Sequence, residues 1–168
     1  MNDFMRTLHH LSTTRAKARR LFPQTTLKAV QAAIGEGESR HRAQLRVIIE
    51  PALRLSELAA RTTARGRAHA LFSRYRIWDT EENCGVLLYI NLADRKVEIV
   101  TDRAVGRAVP RTDWESACQI MTHGFAASRF HDSLLAGVAQ VNALLTTHFP
   151  TAGSGGRANE LSDRPVIL

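Results

Sequence analysis

The sequence predicts an α/β sandwich: a small mixed central sheet with a β-α-β unit, a hairpin, and helices on both faces. Three observations carry this. Residues 85–92 (GVLLYINL) form a nearly continuous apolar run, as expected of a strand covered on both sides. Lys96–Thr101 (KVEIVT) returns after the short turn Ala93-Asp94-Arg95 and completes a hairpin. An earlier strand, Gln44–Glu50 (QLRVIIE), is separated from residues 85–92 by a helical pattern. That order implies two parallel strands joined by a right-handed crossover.

Residues 2–22 place Phe4, Met5, Leu8 and Leu11 at helical spacing and continue into a basic stretch, so they predict one amphipathic helical arm. Pro23 can open the next helix, whose stripe is Leu27, Val30, Ala33 and Ile34 and which Gly35 and Gly37 weaken. In QLRVIIE, Leu45, Val47 and Ile49 alternate with Arg46, Ile48 and Glu50, and Pro51 ends the strand. Residues 56–75 carry Leu58, Ala59, Ala68, Leu71, Phe72 and Tyr75 as a single helix, with arginine stems on its outer side and their heads in water. Thr112-Asp113-Trp114-Glu115 matches a capping box ahead of a helix faced by Trp114, Cys118, Met121 and Phe125. A last helix runs from Asp132 to just before Pro150. Residues 151–168 begin as a flexible Gly/Ser linker and end on an apolar tip. The expected organisation is an arm (1–22), an α/β domain (23–150) and a linker with tail (151–168).

The chain has 168 residues, 44% of them hydrophobic, enough for one real core. No apolar run reaches the roughly 20 residues that span a bilayer, and the N-terminus lacks the order of a signal peptide. A cytoplasmic location, peripheral to a membrane at most, is the expectation. Cys84 and Cys118 lack CxxC spacing and read as reduced thiols. The net charge is +7, but through Arg76 there are 15 basic against 5 acidic residues, and beyond it 8 against 11. Aromatic residues are only 6% and no recognition motif interleaves them with arginine, which argues against nucleic acid. Arg15, Lys17, Arg19 and Arg20 suit weak contact with an anionic surface. HExxH, P-loop and GxSxG patterns are absent from the sequence.

Strand direction sorts the polar residues. If the first two strands are parallel, their starts share one rim of the sheet, and the third strand ends there. That rim receives Glu38 and His41, then Asp79, Glu81, Glu82 and Asn83, and finally Asp102; the opposite rim receives Glu50 and Asp94. Glu38, Asp79, Asn83 and Asp102 offer the oxygens that a hard cation prefers. The plainer alternative is that Asp79 and Asn83 make turns, Asp102 caps a short helix, and Glu38 is solvated.

The stretches LFPQTTLKAVQAAIGEGESRHRAQLRVIIEPAL, RAHALFSRYRIWDTEENCGVLLYINLADRKVEIVTDRAVG and DWESACQIMTHGFAASRFHDSLLAGVAQVNALLTTHFP, with the tail NELSDRPVIL, together resemble the TPM-domain family. That family includes thylakoid-lumen acid-phosphatase-like proteins, photosystem repair factors and bacterial relatives. The resemblance implies an α/β sandwich with an acidic surface site at Glu38, Asp79, Asn83 and Asp102. It also implies a divalent cation, calcium for choice, and a protein or membrane-associated complex as partner. The alternative it offers is a metal-assisted phosphomonoesterase, with Asp79 or Asp102 as general base and His41 or Arg103 near the substrate. Many relatives carry a glycine-rich turn after the third strand, where this chain has Asp102-Arg103-Ala104-Val105-Gly106.

Overall fold

The computed structural model describes residues 3–151 and 159–168. Its elements run α1 (Asp3–Ser12), α2 (Arg15–Leu21), α3 (Gln24–Glu38), β1 (Gln44–Glu50), α4 (Leu55–Ala59), α5 (Ala64–Arg74), β2 (Gly85–Asn91), β3 (Lys96–Thr101), α6 (Arg103–Ala108), α7 (Arg111–Ala126), α8 (Phe130–His148) and β4 (Val166–Ile167). The sheet order is β3-β2-β1-β4. β1 is parallel to β2 and to β4, and β3 is antiparallel to β2. The predicted mixed α/β sandwich is therefore the observed one, with a fourth strand added.

Alternation along the strands divides the core. Leu45, Val47, Ile49, Val86, Leu88 and Ile90 face α3, α7 and α8, together with Phe22 and Met121. Ile48, Leu87, Tyr89 and Val100 face α5 with Ala68, Leu71 and Phe72. Each β2 residue is buried, the outcome expected of an unbroken apolar run between two helical layers. α7 and α8 approach closely where glycine permits it: a Cβ on Gly124 would lie 1.6 Å from Ser133 Oγ.

Four local expectations are corrected. The single helix over residues 2–22 is two, because the Thr14 hydroxyl accepts from Lys17 N (3.2 Å) and starts α2 as an N-cap. α2 belongs to the body rather than to an arm, since Ala18 and Phe22 are fully buried in the main core. The helix over residues 56–75 is likewise broken: Arg61 adopts φ 52°, and Thr63 caps α5 by accepting from Gly66 N (3.0 Å). Finally, the capping box at Thr112 does not form. α7 begins at Arg111, and the Glu115 carboxylate takes the Arg111 guanidinium (2.7 Å) instead.

The expected linker over residues 152–158 lies outside the described residues. Beyond it the tail is anchored rather than loose. Leu168 N donates to Ile49 O (3.0 Å), the Arg15 guanidinium donates to Ile167 O (3.0 Å), and Gln44 Oε1 accepts from Glu160 N and Leu161 N.

Candidate functional site

The rim where β1 and β2 begin is built by one compact turn. Asp79 N donates to Arg76 O (2.9 Å). Thr80 accepts twice, its carbonyl from Asn83 N (3.0 Å) and its hydroxyl from Cys84 N (3.0 Å). Asn83 closes the turn in the left-handed region (φ 54°), which asparagine tolerates better than most residues. β3 arrives antiparallel at this place. Asp102 N donates to Gly85 O (2.8 Å), and Ala104 N donates to Asn83 O (3.2 Å). Asp79, Asn83 and Asp102 thus come from one turn and from the helix start hydrogen-bonded to it.

Their side chains differ. Asp79 and Asn83 are exposed, whereas Asp102 is 7% exposed. Asp102 Oδ1 accepts from Arg103 N (2.6 Å) and caps α6, as the plainer expectation held. Its Oδ2 is buried and has no hydrogen-bond partner among the described residues. A lone carboxylate oxygen removed from water costs free energy unless something pairs with it. Arg42 crosses the same rim to Glu82 (2.7 Å), and Glu81 N donates to the Glu160 carboxylate (2.9 Å).

Glu38 does not join this group. Its carboxylate accepts from Leu45 N (2.8 Å) and from Gln44 Nε2 (3.4 Å). Gln44 N is bonded to Cys84 of the β2 side, so Leu45 N points to the other side, toward β4. Neighbouring strands lie about 4.8 Å apart, so the two intervening strands put roughly 10 Å of sheet between Glu38 and Asp102. Among the described residues, no three His, Cys, Asp or Glu side chains are grouped as a metal shell would need.

Burial pushes the Glu38 carboxyl up to about 7 from 4.5, aided by Asp163 and opposed by the Leu45 bond. The folded state therefore holds this proton more tightly than the unfolded chain does. The associated stability is lost as pH rises from about 4.5 through about 7. Partial exposure trims the effect through solvent screening. Glu38→Gln is expected to melt with the parent near pH 4.5 and above it, by roughly 2–4 °C, at pH 8. Thermal melts across that range check it.

His41 is occupied by the protein itself. It is 1% exposed, its Nδ1 lies 3.1 Å from Ala43 O, and its Nε2 lies 3.2 Å from Asn142 Oδ1. Burial holds the ring's pKa below its ordinary value. Arg103, beside Asp102, is exposed.

The opposite rim holds the polar network that sequence reasoning missed. Arg67 does not send its guanidinium into water; it grips Glu50 with Nε and Nη2 (2.6 to 3.1 Å) and reaches Glu57 with Nη1 (2.6 Å). The Tyr89 hydroxyl donates to Glu50 (2.6 Å), Asn91 Nδ2 donates to the Tyr89 oxygen (3.1 Å), and Asp94 N donates to Asn91 Oδ1 (2.9 Å). Asp94 in turn receives Arg6 at both oxygens (2.8 Å) and His10 Nε2 (3.0 Å). Leu53 N donates to His10 Nδ1 (2.9 Å), which leaves the Nε2 proton for Asp94. Burial works against the Asp94 carboxylate, but the Arg6 and His10 bonds outweigh it and hold its pKa below the usual value. The available signal was parity: Glu50 shares the Ile48 face of β1, which α5 covers.

An open mixed sheet with two helical layers and a polar rim fed by two parallel strands and a returning one defines an α/β domain with its candidate site in the loops. A family model described as the TPM domain matches residues 17–144, and the chain belongs to that family. Among solved structures, the chain is similar to the BA42 protein of the psychrophilic bacterium Bizionia argentinensis. The TM-score is 0.73 at 21% identity, over 86% of this chain and 93% of that one. At that identity the likeness speaks to the fold. No curated protein matches. Among the described residues, no helix is long and apolar enough to cross a membrane.

Proposed function

We propose that this TPM domain is a divalent-cation binding module, calcium being the best fit, that docks on a partner through the rim of Asp79, Asn83 and Asp102. One observation carries the reading: Asp102 is buried beside the Asn83 turn with one carboxylate oxygen paired and the other without a hydrogen-bond partner among the described residues. A hard cation would give that oxygen its partner. Asp79 and Asn83 would contribute a carboxylate and an amide oxygen, and backbone carbonyls and water would supply the rest of a six- to eight-oxygen shell. Bound there, the ion neutralises the carboxylates and ties the turn to the start of α6. Glu38 is outside this set, because its oxygens serve Leu45 and Gln44. Trp78, half exposed next to Asp79, supplies the aromatic anchor that docking surfaces favour.

The phosphomonoesterase alternative receives less support. His41 is buried with both ring nitrogens engaged, so it is not placed to meet a substrate.

Calcium at 100 times its dissociation constant is expected to stabilise the fold by about 2.7 kcal/mol, raising Tm by roughly 5–10 °C. Asp102→Asn keeps the α6 cap, since asparagine caps as well as aspartate, and should erase the calcium response. A melt that calcium leaves unmoved, or one equally raised in Asp102→Asn, removes the proposal.

A further inference from the structure

We propose that α1 is a membrane-docking element that seats the protein on an anionic lipid surface, a property independent of the cation reading. Among the described residues, seven large apolar side chains are exposed, and four of them, Phe4 (72%), Met5 (45%), Leu8 (49%) and Leu11 (61%), are on α1. At 100° per residue, Phe4, Leu8 and Leu11 share one face and Met5 flanks it. Arg6 and His10 lie on the opposite face, and that polar face holds α1 to the body through Asp94, Thr62 O and Leu53 N. An amphipathic helix on a globular protein ordinarily turns its apolar side inward. Here the polar side is the anchor and the apolar side faces out.

Charge selects the occupant. No acidic residue occurs between Asp3 and Glu36, while Arg15, Lys17, Arg19, Arg20 and Lys28 do, besides the Arg6 that Asp94 already neutralises. Arg95 and Lys96 directly follow Asp94, the residue that clamps α1, and with Lys17 they line one cavity of about 410 Å³ next to Thr13. An exposed apolar helix face followed by exposed basic side chains on α2 (Lys17, Arg19, Arg20) matches the interface of an anionic bilayer, where leucine and phenylalanine enter the acyl boundary and cations meet the headgroups. A ten-residue helix is marginal alone in water. The Asp94 clamp holds this one already formed, so docking need not bear its folding cost.

The test is co-sedimentation of the full chain with vesicles of phosphatidylcholine alone and with phosphatidylglycerol added. The chain should partition onto the anionic vesicles and lose most of that binding at 0.5 M salt, a concentration at which the Debye length falls to about 4 Å. Leu8→Asp/Leu11→Asp, whose positions are exposed and whose fold is checked by circular dichroism, should lose at least ~10-fold in partitioning. Lys17→Gln, Arg95→Gln and Lys96→Gln should each lose about fivefold. Failure to bind anionic vesicles, or binding that the leucine substitutions leave intact, overturns the proposal. So does a dimer by light scattering that Leu8→Asp/Leu11→Asp dissolves, because the face would then belong to a second copy.

Discussion

Gly85→Ala is expected to cost more than about 4 kcal/mol and to leave little folded protein at 37 °C. An alanine Cβ there would lie 1.8 Å from Ile77 O and 2.9 Å from Ile77 C, and both are backbone atoms that no rotamer change can withdraw. Ile77 cannot drift, because it is fully buried and its N–H is bonded to Phe72 O (3.0 Å). Moving Gly85 instead would pull β2 away from Asp102, which donates to its carbonyl. Urea unfolding followed by circular dichroism reads the effect. A loss below about 1 kcal/mol, the ordinary size for a point substitution, would mean that the turn before β2 is far softer than its hydrogen bonds indicate.

Arg67→Met is the second large effect, about 3–5 kcal/mol, because it leaves Glu50 charged, 4% exposed and without its guanidinium. Tyr89 cannot substitute for the lost charge. Its phenol pKa is pushed far up, first by burial and then by the Glu50 charge, so it offers one neutral hydrogen bond. Adding Glu50→Gln to Arg67→Met removes the stranded charge while keeping an acceptor for the Tyr89 hydroxyl, and should recover part of the loss. Denaturant titration of the parent, the single and the double variant decides it. Equal stability of the single and double variants would show that the cost of Arg67→Met is lost packing of its stem rather than an orphaned carboxylate.

Much of the architecture was legible because the strands obey simple periodicities. The unbroken run at residues 85–92 and the alternation in QLRVIIE placed β2 and β1, and chain direction alone put Asn83 beside Asp102. Lateral position was not legible. Glu38 shares the rim, yet strand order β3-β2-β1-β4 separates it from Asp102 across β1 and β2. β4 is only two residues long and follows a glycine-rich stretch, so no periodicity could announce it. The helix breaks at Thr14 and Thr63 fall on Thr-Thr pairs. Thr25-Thr26 and Thr146-Thr147 sit inside α3 and α8, so the pair is not a sufficient signal. Helical spacing alone sends Arg67 to solvent, because helical arginines usually keep their heads there. Counting Glu50 onto the Ile48 face would have set a buried carboxylate opposite α5 and called for a cation on it.

The two rims now divide in chemistry. At one, Glu50 is met by Arg67 and Asp94 by Arg6, with a further hydrogen bond from His10, so these carboxylates already have their counter-charges. At the other, Glu82 has Arg42 and Glu38 has Leu45 N, while the buried Asp102 keeps an oxygen without a hydrogen-bond partner among the described residues. Amide spectra of isotope-labelled protein, recorded while calcium is raised to millimolar levels, test the outcome most directly. We expect saturable shifts confined to Asp79, Thr80, Asn83 and residues 102–104, absent in Asp102→Asn. A spectrum unchanged at millimolar calcium, or shifts centred elsewhere, would contradict the assignment of this rim as a cation site.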